Sequence, residues 1–142
     1  MKRLLLLVAL SLPLMALAQP TGFGKLIKKY QSKQGYTTIE LSKDMLRTMG
    51  ASDGIEQMMA ITADNSQSSD EFTQDIEAIT KDMNTMLSVN SNDRTVKIYS
   101  RADKQGRVCE LVIHTADGYS IVAVDLTGTD IKLNDAQSLI NF

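Results

Sequence analysis

The stretch TVKIYSRADKQGRVCELVIHTADGYSIVAVDL, Thr95 to Leu126, decides the fold. Three segments rich in β-branched residues, Thr95–Arg101, Arg107–His114 and Tyr119–Leu126, are separated by Ala102-Asp103-Lys104-Gln105-Gly106 and by Thr115-Ala116-Asp117-Gly118. Such runs, bounded by Gly and Asp, read as strands. Asp117-Gly118 signals a tight turn because both positions tolerate positive φ. The spacing therefore predicts a C-terminal three-stranded antiparallel meander. Thr127-Gly128-Thr129-Asp130 turns the chain once more, and Asn134 is placed to cap a last helix carrying Ala136, Leu139, Ile140 and Phe142.

Working upstream, Phe72, Ile76, Ile79, Met83 and Met86 step by four, three, four and three residues. That period predicts one long amphipathic helix ended by Asn90 to Asp93. Ser68 with Glu71 forms a capping box at its start. Ile55 to Ala63 fits a helix through Ile55, Met58, Met59 and Thr62, or a buried strand through its compact apolar run, and pattern alone leaves both open. Tyr36–Leu41 reads as a strand, and Ser42 to Met49 as a short capped helix ended by Gly50. Phe23, Leu26, Ile27 and Tyr30 mark one face of a helix that Thr21 can cap and Gly35 can end. The expected class is α+β: a mainly antiparallel sheet of about five strands with helices packed against it.

The N-terminus has the three parts of a secretory signal: basic Lys2 and Arg3, an apolar run from Leu4 to Leu12, and Ala16-Leu17-Ala18. Residues 1–18 are expected to be removed between Ala18 and Gln19, leaving 19–142 as one domain in the periplasm or outside the cell. The apolar stretch falls short of the roughly 20 residues that span a bilayer. The only cysteine is Cys109, so no acyl anchor is expected at the cleavage point. Without Lys2 and Arg3, 13 basic residues stand against 17 acidic ones, an excess that argues against a nucleic-acid partner.

The order of these signals is familiar. Leu41-Ser42-Lys43-Asp44-Met45-Leu46, Gly54-Ile55-Glu56-Gln57-Met58-Met59-Ala60-Ile61-Thr62, Val96-Lys97-Ile98-Tyr99, Glu110-Leu111-Val112-Ile113 and Val124-Asp125-Leu126-Thr127-Gly128-Thr129-Asp130-Ile131-Lys132-Leu133 resemble the bacterial family of the domain of unknown function 4252. The resemblance implies an exported α+β protein and favours a strand at Ile55–Ala63. It implies no activity.

Chemistry is sparse in this sequence. His114, Asp117 and Ser120 supply the residue types of a hydrolytic triad, but at a hairpin tip they lack the sheltered cleft and oxyanion hole that such a triad needs. His114 is expected to be an exposed strand-end residue. Cys109 alternates with Leu111 and Ile113 and is expected in the core beside them. Asp64, Ser66, Ser68 and Asp75 echo a calcium loop without its central glycine. Asp70, Glu71, Asp75, Glu77 and Asp82 fit a solvated helix face. Lys25, Lys28, Lys29 and Lys33 form a basic helix surface with no neighbouring acid in sequence, a solvated face or a membrane-surface contact. Met45, Met49, Met58, Met59, Met83 and Met86 crowd one third of the chain, as core filling or as an adaptable interaction surface. No metal, cofactor or catalytic set is expected. The leading expectation is a non-enzymatic exported module that binds an envelope protein or a small ligand; a hydrolase centred on His114 and a membrane-surface sensor are the alternatives.

Overall fold

The computed structural model describes residues 22–51, 53–64 and 69–140. The signal segment with Ala18 and Gln19, the Thr21 cap, Ser66 and the Ser68 capping box lie outside the described residues, as do the side chains of Leu139, Ile140 and Phe142. The element order is α1 (Gly22–Tyr30), β1 (Tyr36–Leu41), α2 (Lys43–Thr48), β2 (Ile55–Asp64), α3 (Ser69–Thr80), β3 (Asn84–Asn90), β4 (Arg94–Ala102), β5 (Val108–Asp117), β6 (Ser120–Gly128) and α4 (Leu133–Ile140). Six strands form one antiparallel sheet in the order β1-β2-β6-β5-β4-β3. The class is α+β. The C-terminal meander is present, and Ile55–Asp64 is a strand.

Strand β3 corrects the long-helix expectation. The helix stops at Thr80, whose hydroxyl donates to the Ile76 and Glu77 carbonyls, and Met83 N–H closes the turn on Thr80 O at 3.0 Å. Met83 and Met86 continue the helical period by coincidence. Leu87, Ser88 and Val89 instead pair with Ile98, Lys97 and Val96, covering an edge of β4 that would otherwise be open.

Local signals act as the sequence implies at several places. The Ser42 side chain accepts from Met45 N–H, and Gly50, at φ 87°, lets Ala51 N–H reach back to Leu46 O at 2.9 Å. The Asp117-Gly118 turn closes by another route. Gly118 is not among the positive-φ glycines; the Asp117 carboxylate accepts from Tyr119 N–H at 2.7 Å and Ser120 N–H at 2.8 Å. Gly128 is needed for a different reason. A Cβ there would collide with the Gly54 carbonyl oxygen, where the ends of β2 and β6 press together.

Because strands alternate, the sheet carries two buried faces. On one, Met59, Ile61, Ala63, Val112 and Ala123 pack under Phe23, Leu26, Ile27 and Tyr30 of α1 and Phe72 and Ile76 of α3. On the other, Ala60, Ile98, Leu111, Ile113, Val124 and Leu126 pack against Leu46 of α2 and Ala136 of α4. Each fully buried aliphatic or aromatic side chain contributes about 1.5–3 kcal/mol of hydrophobic transfer. The covering elements are short, so the sheet itself supplies much of both cores.

Candidate functional site

The α1/α3 face holds the polar groups of interest. Arg101 on β4 lies opposite Glu110 on β5, and its Nε donates to Glu110 Oε1 at 3.0 Å. Between the pairs Arg101/Glu110 and Ala102/Val108 the register slips by one residue, leaving Cys109 as the extra residue of a β-bulge. The bulge corrects the expected core position of Cys109. It turns the side chain away from Leu111 and Ile113, leaves it half-buried, and lets Sγ donate to Arg101 O at 3.4 Å.

Gly22 at the start of α1, Arg101, Cys109, Glu110 and Thr127 line a cavity of about 420 Å³. Behind this wall lies Asp125 on β6. It shares a face with Thr127, lies opposite Val112 on β5 and Met59 on β2, and is fully buried. Neither carboxyl oxygen has a hydrogen-bond partner. Burial, then the neighbouring Glu110 carboxyl, push the Asp125 carboxyl far above the ordinary carboxylate range, with Arg101 opposing. Glu110, the acid that raises it, is in turn held by Arg101. Arg101 and Glu110 form an ion pair at the cavity wall, and Asp125 is buried on the same face of the sheet.

Sequence reasoning missed this group. Its signal was present: Asp125 interrupts IVAVDL and Glu110 interrupts VCELVI, each a lone carboxylate in a run whose two sides are both covered.

The triad candidates do not converge. His114 shares the face of Val112, whereas alternation puts Asp117 and Ser120 on the opposite one, and Asp117 is spent on its turn. His114 is also not exposed: it is buried, and its Nε2 has no partner. Burial, then the Lys97 charge, hold its pKa below the ordinary imidazole value, with Glu77 opposing.

The basic helix is not a free lysine surface. Lys29 Nζ lies 2.7 Å from Asp75 and 2.8 Å from Glu71, and Lys33 lies 3.5 Å from Glu71. Tyr30 OH donates to Asp75 at 2.6 Å, so α1 and α3 are tied by a partly buried network rather than by solvated faces. Burial and then Asp75 push the Tyr30 phenol upward. For Asp75 burial acts in the same direction, but the hydrogen bonds from Lys29 and Tyr30 outweigh it and lower the pKa. Asp75 is thereby removed from the calcium-loop echo. Among the described residues no group of three His, Cys, Asp or Glu side chains is placed to hold a metal ion.

The methionines disperse. Met59 and Met83 are buried in the α1/α3 core and Met58 packs on the other face. Met45 on α2 and Met49 at its C-terminal cap are exposed, and Met86 is exposed on β3 at the far edge of the sheet.

A family model, the domain of unknown function DUF4252, matches residues 30–139, a span that contains Arg101, Cys109, Glu110, Asp125 and Thr127. No curated protein and no solved structure matches the chain. With most of its length under that model, the protein belongs to the DUF4252 family.

Proposed function

We propose that the processed chain is an exported, non-enzymatic binding module of the bacterial envelope, and that the cavity beside Arg101 and Glu110 seats a small polar ligand. The observation that carries this reading is the fully buried, unpartnered carboxyl of Asp125 on the same sheet face as a cavity wall built from an ion pair, a thiol and a hydroxyl. Buried polar groups are costly, and a few of them convergent on a cavity are the usual mark of a ligand site. Export is supported by the N-terminal pattern of Lys2, Arg3, the Leu4–Leu12 run and Ala16-Leu17-Ala18.

Binding is favoured over catalysis by two features. A carboxyl held neutral resembles a general acid, but Asp125 has no exposed atom with which to reach a substrate. Cys109 gives its proton to a backbone carbonyl, not to a base that could activate it. The membrane-surface alternative loses Lys29 and Lys33 to their acidic partners on α3.

The test is a fragment screen on the folded protein by amide NMR, with small amines, acids and neutral amides as probes. Fragments should perturb Gly22, Glu110 and Thr127, and Cys109→Trp, which fills the cavity, should abolish the effect. Equal binding to the filled variant, or no perturbation at millimolar fragment, overturns the reading.

A further inference from the structure

The ion pair in the cavity wall leaves hydrogen-bonding capacity unused. Arg101 meets Glu110 through a single contact, Nε to Oε1 at 3.0 Å. Among the described residues neither Nη of Arg101 donates a hydrogen bond, and Glu110 Oε2 accepts none. A guanidinium is a fork of donors and a carboxylate has two accepting oxygens, so the pair keeps both kinds of group to spare. Both side chains line the cavity of about 420 Å³. They project from directly opposed positions on β4 and β5, which sets cation and anion side by side in one wall. Glu110 is only 9% exposed, so water does little to satisfy its second oxygen. Thr127 on β6 lies opposite Glu110 and adds a hydroxyl that makes no hydrogen bond among the described residues.

We infer that the ligand of this cavity is a free α-amino acid with an apolar side chain, a statement that rests on reading the cavity as a binding site. Its carboxylate takes the Nη donors of Arg101 and the Thr127 hydroxyl, and its ammonium donates to Glu110 Oε2. Charge selects this class. Arg101 and Glu110 sum to zero, so a lone acid or a lone amine brings an uncompensated charge against one of them. A zwitterion matches each sign and adds no net charge. A primary amide also donates and accepts, but its hydrogen bonds have an ion on one side only and are weaker than those between two ions. A peptide carries its two charges on different residues, whereas the cation and anion here are immediate neighbours. The remaining lining offers nothing to a polar side chain: Gly22 has none of its own, and Cys109 gives its proton to Arg101 O.

The test titrates the folded protein, followed by amide NMR, with L-alanine and two analogues that each lack one charge. Alanine methyl ester has no carboxylate, and N-acetylalanine has no ammonium. L-Alanine should shift the amides of Gly22, Glu110 and Thr127, and each analogue should bind at least about tenfold more weakly, as expected for losing a hydrogen bond between ions. This series leaves the protein unaltered and so reads recognition without disturbing the fold. Arg101→Gln, in a variant that keeps the native amide spectrum, should bind alanine as weakly as the parent binds the ester. An analogue that binds as tightly as alanine, or alanine binding unchanged in Arg101→Gln, overturns the inference. If acetate, methylammonium or acetamide shifts these amides and alanine does not, the amino-acid assignment falls while the cavity remains a binding site. Silence from every probe at millimolar concentration overturns both.

Discussion

The two faces of the sheet bury cores of similar extent by different means. The α2/α4 face is filled by aliphatic side chains such as Leu46, Ile55, Ile98, Leu111, Ile113, Val124 and Leu126. The α1/α3 face buries Phe23, Tyr30 and Phe72, and also the carboxyls of Glu110 and Asp125 and the imidazole of His114. Tyr30 packs against Tyr36 and Phe72 with ring centroids 4.6 and 5.1 Å apart. An aliphatic face is cheap to build and chemically silent. The polar face costs stability at each buried ionisable group, and the aromatic cluster beside it offsets that cost. Stability and chemistry are thus divided between the two sides of one sheet.

The largest expected effects test whether both faces are needed for one cooperative unit. Phe72→Ala opens a hole under Tyr30 and Tyr36 and should destabilise by about 3–5 kcal/mol; Leu126→Ala should destabilise by about 2–5 kcal/mol through the opposite face. Urea unfolding of both variants should remain a single transition with unchanged m. Separate transitions for the two faces would break the picture of one shared sheet.

Next in size is Asp125→Asn. The raised folded-state pKa means that this side chain contributes fully below the unfolded value near pH 4 and loses stability as pH rises beyond it. An amide of the same shape carries no ionisation penalty. The variant should be more stable than the parent by on the order of 2 kcal/mol at pH 8 and indistinguishable from it at pH 4. A loss of stability at pH 8 would show that the carboxyl is charged and paired. The same change placed on the α2/α4 face, Val124→Asn, has no partner to satisfy it and should destabilise at every pH.

A smaller effect is expected for Tyr30→Phe, which removes the 2.6 Å hydrogen bond to Asp75 while keeping the ring. A loss of about 1–1.5 kcal/mol by thermal unfolding is expected, because Asp75 retains Lys29. The smallest belongs to the sheet edge. Leu87 and Val89 are exposed on β3, so Leu87→Thr with Val89→Thr should change stability by no more than about 0.5 kcal/mol. A larger loss would reveal that this edge is covered in solution, which analytical ultracentrifugation would register as association.

Much of the fold was legible in local signals. The segments at Tyr36–Leu41 and Thr95–Leu126 announce strands through β-branched composition, and Ser42 and Gly50 bracket α2 because caps act within a few residues. The failures share a cause. Met83 and Met86 prolong a helical period that nothing local interrupts, so β3 becomes visible only once the open edge of β4 is known. Cys109 shares strand parity with Leu111 until a bulge, set by the pairing with Arg101 across the β4–β5 hairpin, turns it into the cavity. His114 reads as a strand end because nothing near it in sequence reveals that the face it shares with Val112 is buried.

By itself, then, the amino-acid order determined the strands of the meander, the termini of α2 and the alternation that makes both faces of the sheet apolar, since each depends on neighbours a few positions apart. Which face buries the carboxyl of Asp125, which ring nitrogen goes without a partner, and where a bulge redirects a thiol were decided only when distant strands paired. Burial and register are properties of the assembled sheet, because the solvation of a side chain is set by what the rest of the chain places over it.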